Sequence, residues 1–560
     1  MTEIVDVDVL VVGGGAAAQR AAIDAYRAGA RVALAVKGRL GVMGQRGAGG
    51  TASGAGADRK MFWPVGASGE VLAKAYDDII QLGLGMADPA LVRILVEETP
   101  LAKRAIQRMG VLFRGKPAFG IGPIMAATIR QTEIGLHERT MISGLITRNG
   151  TCVGAIGINE ENGQTTAFQC GAVVLGTGGA AHLFRHNIHP TGITGDGYAI
   201  GYRAGADLIN MEFMQIFLGM SFPNQNNISN WVWSEKFRVY NSEGRDFLAE
   251  YIPPGASLEE ALTQNSWHSS FTTRDPLSRY ISVALVKEVM AGRGSMHDGI
   301  YMDLTAAGNR APPDRDAWLR YRGIEWDRQP LEVNMFVQSS YGGFRISPRA
   351  ETTVPGLYAA GECAAGSYGA DRYGGASMSS CQVFGARAGR HASFWAAKST
   401  HAPLQEDEVS AEERRIAELK AARGRFKPAE IRRQLQQAAW NNLLVVRTEA
   451  GLTQFLKMVA ELRDEKLEDM SVENSRELVE ALELHNLLLC GEMLGKAALM
   501  RRESRGSHYR EDFPQQDDTQ WLKSIAIRKM ADGMALDTIV LHPDWKSRPG
   551  DMGGKRWAGS

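Results

Sequence analysis

A glycine-rich turn close to the N-terminus constrains the fold of this chain more than any other feature. Residues 7–12 form an apolar run typical of a buried parallel strand, three glycines follow at 13–15, and residues 16–30 have a helical composition. Residues 31–36 predict a second strand, which completes a strand–helix–strand unit. The pattern G-x-G-x-x-A at 13–18 therefore predicts a dinucleotide-binding site.

This turn predicts phosphate binding for a physical reason. The first glycine permits a sharp reversal, the second lets the backbone approach a pyrophosphate, and the third small residue packs the helix against the strand. The helix N-terminus adds unpaired N–H groups and a partial positive charge. The second strand ends in Val36-Lys37, so the carboxylate that usually binds a ribose there is missing. The residues predicted to contact the cofactor in this unit are Gly13, Gly14, Gly15, Ala16, Ala17, Ala18, Val36 and Lys37.

Two more glycine-rich turns follow predicted strands. One is at 176–179, and the other is Gly361-Glu362. The Glu362 carboxylate at a strand end is predicted to accept hydrogen bonds from ribose or ribityl hydroxyls, and capping of a helix is the alternative. Because unlike sequence separates these elements, we predict a discontinuous nucleotide domain with an inserted cap. From about residue 405 onward, apolar residues at helical spacing predict a helical domain.

Composition and charge exclude several function classes. Lys plus Arg equals Asp plus Glu at 63 each, so no global field favours nucleic acid or an acidic membrane. The five cysteines include no CxxC pair, so no disulfide framework, metal site or iron–sulfur cluster is expected. The acidic N-terminus runs straight into a strand, and no uncharged apolar run reaches about 18 residues. We therefore expect a cytoplasmic protein.

Motifs along the chain, in a fixed order, give it a specific resemblance. They are Gly47-Ala-Gly-Gly50, Thr194-Gly-Asp-Gly197 with Ala204-Gly-Ala206, Met211-Glu-Phe-Met-Gln215, Arg274-Asp275-x-x-Ser278-Arg279, Gly356 to Glu362, Gly369 to Met378 and Arg501 to Asp512. On these motifs the chain resembles the flavoprotein subunit of the succinate dehydrogenase and fumarate reductase family. That family also contains aspartate oxidase and the adenylylsulfate reductase flavoprotein. The similarity runs from residue 7 to about 523.

The resemblance implies a fold and a cofactor. The implied fold is α/β: a Rossmann-like FAD-binding domain at 1–225 and 346–404, an inserted α+β capping domain at 226–345, a helical domain at 405–521 and a C-terminal extension at 522–560. The implied cofactor is FAD. Its further predicted contacts are Gly44, Gly49, Gly50, Thr177, Gly178, Asp196, Glu362, Ser377 and Met378.

The resemblance also implies two catalytic arginines. Arg274 matches the cap arginine that gives or takes a proton, which an arginine does only when it is held against the substrate. Arg372 matches the arginine that holds a substrate carboxylate through its bidentate fork. The alternative for each is a structural salt bridge, with Asp275 beside Arg274. Glu235 and Arg238, at E-x-x-R spacing, are the candidates that the resemblance gives for the proton relay of the family.

Departures from the family pattern point to a changed site. Met43 stands where succinate dehydrogenases link FAD through a histidine, so we predict noncovalent FAD. Phe217 and Gln338 replace the two histidines that hold the second carboxylate of a dicarboxylate. Loss of a charge-assisted partner costs roughly 1.5–3 kcal/mol per bond, so succinate and fumarate are not the expected substrates.

An anionic substrate that is apolar or aromatic at one end is expected instead. Its predicted contacts are Phe217, Gln338, Tyr341 and Arg372, and the alternative is that His297, Tyr341 or Tyr368 takes over the lost role. The predicted reaction is hydride transfer between flavin N5 and this substrate, with electrons exchanged with a ferredoxin-like iron–sulfur subunit. No nucleic acid is expected to bind, and any membrane contact is expected through partners. Two alternatives are an adenylylsulfate-reductase-like enzyme acting on sulfur, and a flavin electron-transfer subunit without its own substrate.

Overall fold

The structure is a computed structural model that describes residues 3–42, 68–111, 121–228, 232–233, 236–267, 270–307, 311, 313–372, 374–399 and 403–540. In chain order the strands are β1 (Glu3–Val12), β2 (Val32–Val36), β3 (Gly135–Glu138), β4 (Thr140–Arg148), β5 (Thr151–Asn159), β6 (Thr165–Leu175), β7 (Leu208–Ile209), β8 (Met214–Phe222), β9 (Asn226–Asn227), β10 (Arg238–Tyr240), β11 (Ile300–Asp303), β12 (Leu331–Ser340), β13 (Gly343–Phe344), β14 (Leu357–Ala359), β15 (Ser524–Met530) and β16 (Gly533–Ile539). The helices are α1 (Ala16–Arg27), α2 (Gly69–Leu82), α3 (Pro89–Arg108), α4 (Ile121–Ile129), α5 (Asp196–Arg203), α6 (Leu258–Trp267), α7 (Ser278–Glu288), α8 (Pro313–Tyr321), α9 (Ala376–Ala396), α10 (Glu406–Ala421), α11 (Pro428–Leu443), α12 (Glu449–Glu461), α13 (Ser475–Met500) and α14 (Asp518–Trp521).

The main sheet has the strand order β3-β2-β1-β6-β5-β4, and β14 pairs with β6. Strands β1, β2, β3, β6 and β14 are parallel where they pair, so their carboxyl ends meet at one edge. Helix α9 packs so closely on α1 that a Cβ at Gly385 would lie only 2.7 Å from the Ala17 carbonyl oxygen. In an open α/β sheet, ligands bind at the carboxyl edge of the strands.

The second sheet has the order β10-β11-β12-β8-β9 and is antiparallel throughout. Strand β8 lies before residue 226, so this sheet crosses the boundary predicted between 225 and 226. The reason is packing, because Ile216, Leu218 and Met220 of β8 are buried in the same apolar core as Val333 of β12.

A third sheet, β13-β7-β15-β16, joins distant parts of the chain. The hairpin β15–β16 falls within the predicted C-terminal extension, and β15 pairs with β7 through Ala526 and Ile209. Both of these residues are buried together with Ala365. The hairpin β15–β16 is therefore packed against β7 from the N-terminal half of the chain.

The C-terminal helices share an apolar core with the second sheet, which we call the cap sheet. Leu435 of α11, Phe455 of α12 and Leu482 of α13 belong to the same buried cluster as Val333 of β12. No helix within the described ranges combines the length and the apolar character that a membrane crossing requires.

Charged residues of the segment after α13 are fully buried. The Arg501 guanidinium bonds Glu212 at 2.7 Å and Glu503 at 2.8 Å, and Arg505 bonds Glu503 at 2.7 Å. All four side chains are 0% exposed, so each charge depends on its partners. Glu212 precedes β8, and this network therefore ties the C-terminal part to the strand that leads into the candidate site.

Candidate active site: a dinucleotide cavity and two arginines

The predicted glycine turn adopts a conformation that only a small backbone permits. Gly13 has a φ of +116°, and a Cβ at this position would lie 2.5 Å from the Gly176 carbonyl oxygen. Helix α1 begins at Ala16 with Gly15 as its N-cap, no side chain caps it, and no acidic residue lies in its first turn. The first N–H groups of α1 are therefore suited to binding an anion such as a pyrophosphate.

A cavity of about 510 Å³ opens at this edge of the main sheet. The predicted cofactor residues that line it are Gly13, Gly14, Gly15, Ala16, Ala17, Lys37, Thr177, Gly178, Asp196, Glu362, Ser377 and Met378. Ala18 packs behind the turn against Gly176, and Val36 is buried in β2. The predictions for Met43, Gly44, Gly49 and Gly50 fall outside the described residues.

The end of β2 carries a partly buried ionic cluster in place of a lone carboxylate. The Lys37 ammonium bonds Asp196 at 2.6 Å, Glu483 at 2.9 Å and the Thr194 hydroxyl at 2.8 Å. Burial lowers the pKa of Lys37, but the charges of Asp196 and Glu483 outweigh it and raise that pKa above its usual value. Arg432 binds the other oxygen of Glu483 at 3.1 Å. The carboxylates that the β2 end lacks are therefore supplied by α5 and α13.

Glu362 is fixed by the backbone of β12. Its Oε1 accepts the Ser340 N–H at 2.8 Å, and its own carbonyl accepts the Tyr198 hydroxyl at 2.8 Å. A Cβ at Gly179 would lie 2.4 Å from this Oε1, so the Gly-rich turn at 176–179 leaves the space that the carboxylate occupies. The carboxylate lines the cavity.

Several residues that line the cavity were missed by sequence reasoning. Besides Glu483 and Arg432, they include His182 and His189. Burial, with Arg432 nearby, lowers the pKa of His182 to about 3. The His189 Nε2 contacts the Gln338 carbonyl oxygen. A histidine in a loop gives little sequence signal, because its neighbours come from β12 and α11, more than a hundred residues away.

Arg372 lies in a network of polar side chains. One of its terminal nitrogens donates to the Gln215 Oε1, and the Gln215 amide donates to the Ser270 hydroxyl at 2.7 Å. The Arg372 N–H donates to Asp371 at 2.7 Å, and the Tyr341 hydroxyl lies 3.5 Å from the same carboxylate oxygen. Burial, with the charge of Asp371, raises the pKa of Tyr341 well above its usual value. Gln215 was not predicted as a site residue.

The two residues that replace the family histidines lie on neighbouring strands. Phe217 on β8 is 2% exposed, and its ring lies 6.2 Å from that of Phe336 on β12. Gln338 lies at an irregularity of β12, between Val337 and Ser339. Phe217 follows Gln215 by two residues, so both project from the same face of β8. An aromatic pair thus lies on the face of β8 that carries the Arg372 partner.

Arg274 is held by its neighbour in sequence. Its guanidinium bonds Asp275 at 3.2 and 3.3 Å, and its side chain is 33% exposed. The structural alternative for Arg274 is therefore present as an ion pair. Arg238 is also exposed and pairs with Asp246 at 2.7 Å, while Glu235 lies outside the described residues.

His297, considered as a replacement for the lost histidines, is engaged on the cap sheet. Its Nδ1 lies 2.9 Å from the Glu332 Oε1, and its ring stacks on the Phe222 ring with 4.0 Å between the ring centroids.

Comparison with known proteins decides the family. A sequence profile described as "FAD binding domain" matches residues 8–137 and 118–378, and one described as "Fumarate reductase flavoprotein C-term" matches 432–546. The fumarate reductase (CoM/CoB) of Methanothermobacter marburgensis has a subunit that is 31% identical over 94% of this chain and 98% of its own length. The chain belongs to the fumarate reductase and succinate dehydrogenase flavoprotein family.

Solved structures agree with this membership. A chain of the Mycobacterium smegmatis Sdh1 complex aligns with a TM-score of 0.81 and 26% identity, over 96% of this chain and 95% of that one. The adenylylsulfate reductase of Archaeoglobus fulgidus shares the fold, with a TM-score of 0.72 and 20% identity over 96% of each chain. The predictions of an α/β fold with a Rossmann-like domain, of FAD and of an oxidoreductase of this family are confirmed.

The cavity fits FAD by the chemistry of its walls. The uncapped start of α1 suits the pyrophosphate, and the ionic cluster at the β2 end offers carboxylates for ribose hydroxyls. Glu362, Ser377 and Met378 line the same cavity from the side of β14 and α9. These are the residues of this flavoprotein that would hold FAD.

Proposed function

We propose that this flavoprotein transfers a hydride to or from the β-carbon of a carbon–carbon bond next to a carboxylate, in a small anionic substrate other than succinate or fumarate. The observation that carries the proposal is the Arg372–Gln215–Ser270 chain, which lies beside the buried Phe217. A planar guanidinium matches the two oxygens of a carboxylate, so this arginine is suited to bidentate binding of an anionic substrate. An aromatic side chain nearby favours an apolar group at the far end of the substrate.

FAD bound in the cavity supplies two-electron hydride chemistry. Arg372 would bind and orient the substrate carboxylate, which fixes the reacting carbon. The hydride would go to the β-carbon of the reacting bond, and Arg274 would give a proton to the α-carbon next to the carboxylate. In the oxidative direction Arg274 would take the α-proton as the hydride leaves the β-carbon. Phe217 and Phe336 would exclude water from the apolar end of the substrate.

A screen of electron acceptors tests the substrate class. Flavin in the holoprotein is reduced photochemically without oxygen, and its reoxidation is followed with crotonate, cinnamate, fumarate, imino acids and adenylylsulfate. We expect an unsaturated monocarboxylate to reoxidise the flavin about tenfold faster than fumarate, which corresponds to one charge-assisted bond. A response to adenylylsulfate alone would favour sulfur chemistry, and no response to any acceptor would favour an electron-transfer subunit.

Fumarate is the second candidate, and one observation favours it. The His189 imidazole lies at Gln338, where the family histidine is missing, and the relative from Methanothermobacter marburgensis is named a fumarate reductase. If His189 binds a second carboxylate, then His189→Asn raises the KM for fumarate about tenfold and leaves that for crotonate unchanged. Equal effects on both acceptors would count against this candidate.

An arginine exchange separates catalysis from simple electron transfer. Arg274→Ala is expected to lower the rate of substrate-dependent flavin reoxidation by about 100-fold or more, as for loss of a general acid. Arg320→Ala is the matched control, since Arg320 is an exposed arginine of the same predicted domain that also pairs with an aspartate. Unaltered turnover in Arg274→Ala would remove the catalytic role.

The electron donor or acceptor is proposed to be a ferredoxin-like iron–sulfur protein, and the flavoprotein itself is proposed to be cytoplasmic and to reach membranes only through partners. Noncovalent FAD is a part of the proposal with a direct test. Acid precipitation should release the yellow colour into the supernatant, and colour that stays in the pellet would contradict it.

A further inference from the structure

A tight turn of the C-terminal part, residues 505–508, reaches the candidate active site. We call it the brace. The Arg505 N–H donates to the His508 carbonyl at 2.8 Å and the His508 N–H donates back to Arg505 at 2.9 Å, so the turn is closed on itself. The Arg505 guanidinium is fixed by Glu503 and by Asp518, and the side chains of Arg505 and His508 are fully buried.

The brace bonds the backbone of three separate site segments. The Thr273 N–H donates to the Gly506 carbonyl at 2.7 Å, the Ser507 N–H donates to the Ala370 carbonyl at 3.2 Å, and the Met214 N–H donates to the Ser507 hydroxyl at 3.1 Å. Thr273 directly precedes Arg274, Met214 directly precedes Gln215, and Ala370 lies two residues before Arg372. One turn thus meets the cap, β8 and the segment that carries Arg372.

The contact between the brace and the Arg372 segment leaves no space for a side chain at Gly506. Gly506 has a φ of +53°, and a Cβ there would lie 2.2 Å from the Ala370 carbonyl oxygen. On the other side, the Ala370 N–H donates to the Gly83 carbonyl at 3.0 Å, and Arg505 donates to the neighbouring Leu84 carbonyl at 2.9 Å. Ala370 is therefore clamped between the brace and the end of α2.

We propose that the brace is a positioning device that sets the separation and orientation of Arg274 and Arg372. The inference rests on the proposed function, in which these two arginines act on one substrate. A misplacement of about 1 Å costs on the order of 100-fold in rate when two groups must meet one substrate. Gly506 and Ser507 are positioning residues, because they act through the backbone next to the arginines.

Hydrogen–deuterium exchange of the full-length, FAD-loaded protein tests the structural part. Ser507→Ala and Gly506→Ala should both raise exchange in peptides covering 212–216 and 270–277. Ser504→Ala is the matched control, since this buried serine bonds the Arg510 and Phe513 carbonyls within its own segment. Exchange at 212–216 and 270–277 that stays at the wild-type level in both brace variants would overturn the proposal.

Kinetics with crotonate as acceptor and reduced methyl viologen as donor tests the positioning part. Ser507→Ala should lower kcat/KM by about tenfold or more, with full FAD content, and should add little to the loss in Arg372→Lys, because both changes act through one group. Wild-type kinetics in Ser507→Ala, or fully additive losses, would leave the brace as a structural contact only and overturn the proposal. If Arg274→Lys and Arg372→Lys retain full turnover, the proposed function fails, and the exchange result still decides whether the brace holds both segments.

Discussion

The two ends of the candidate site are built in different ways. The cofactor end is mainly backbone: a glycine turn, the start of α1 and a second turn that meets the first. The substrate end is made of side chains that arrive from β8, from the cap and from the segment before α9. A backbone site demands particular residue types at fixed spacing, whereas a side-chain site depends on how distant segments dock. We therefore predict that mutations at the cofactor end lower the FAD content, whereas mutations at the substrate end lower the turnover rate.

The cofactor end should respond most strongly to a change at Gly13. A valine there brings both a forbidden φ and a Cβ 2.5 Å from Gly176, which together cost roughly 2–6 kcal/mol. Gly13→Val should therefore be purified with almost no FAD, as judged by flavin absorbance per protein. Gly29→Ala is the control, because Gly29 also has a positive φ, +91°, but no atom lies within 4 Å of its Cβ position. Normal FAD content in Gly13→Val would contradict the expectation that the glycine turn controls cofactor binding.

The substrate end should lose turnover without losing FAD. Arg372→Lys keeps the charge but removes the planar fork, and kcat/KM should fall by about 100-fold while flavin absorbance is unchanged. Arg387→Lys is the control, since Arg387 lies on α9, after the segment that carries Arg372, and pairs with Glu98 of α3. Loss of FAD in Arg372→Lys would show that the two ends are not separable.

The same difference explains how much the sequence predicts. The β1–α1–β2 unit and the turn at Gly13 follow from periodicity and spacing, because glycine is required wherever backbones approach this closely. The bonds from Lys37 to Glu483 and from Arg372 to Gln215 span 446 and 157 residues, and no local pattern encodes them. Likewise, β8 is a mostly apolar run that is buried from Met214 to Met220, and such a run does not tell which sheet the strand joins.

The ionic cluster at the β2 end is an exception, because it is a group of side chains at the cofactor end, which is otherwise mainly backbone. Glu483→Gln removes the charge that Lys37 and Arg432 share, and one charged bond is worth roughly 1.5–3 kcal/mol. The FAD dissociation constant, measured by fluorescence on reconstitution, should rise about tenfold. Glu492→Gln on the same helix is the control, because Glu492 pairs with Arg463 and Lys496. An unchanged FAD affinity would restrict cofactor binding to the backbone.

The smallest expected effect is on stability at low pH. His182 is half-buried in the cavity wall with a pKa lowered to about 3, whereas an unfolded histidine has a pKa near 6.5. Below about pH 6.5 the unfolded chain takes up a proton that the folded protein refuses, so stability falls as the pH drops. Between pH 7.5 and 5.5 the wild type should lose ~1.4 kcal/mol more than His182→Asn in urea unfolding of the apoprotein. Equal losses in both proteins would mean that His182 takes up the proton in the folded protein as readily as in the unfolded chain.

The pairing of β15 with β7 has a consequence for the order of events during synthesis. Strand β7 lies at 208–209 in the FAD-binding half, but its partner at 524–530 leaves the ribosome more than three hundred residues later. The brace at 505–508 is also made late. Nascent chains can complete the glycine turn early, yet they reach a finished third sheet and paired arginine segments only near the end of translation. A stalled or prematurely ended chain therefore carries the glycine turn without the third sheet and without the brace that joins the two arginine segments.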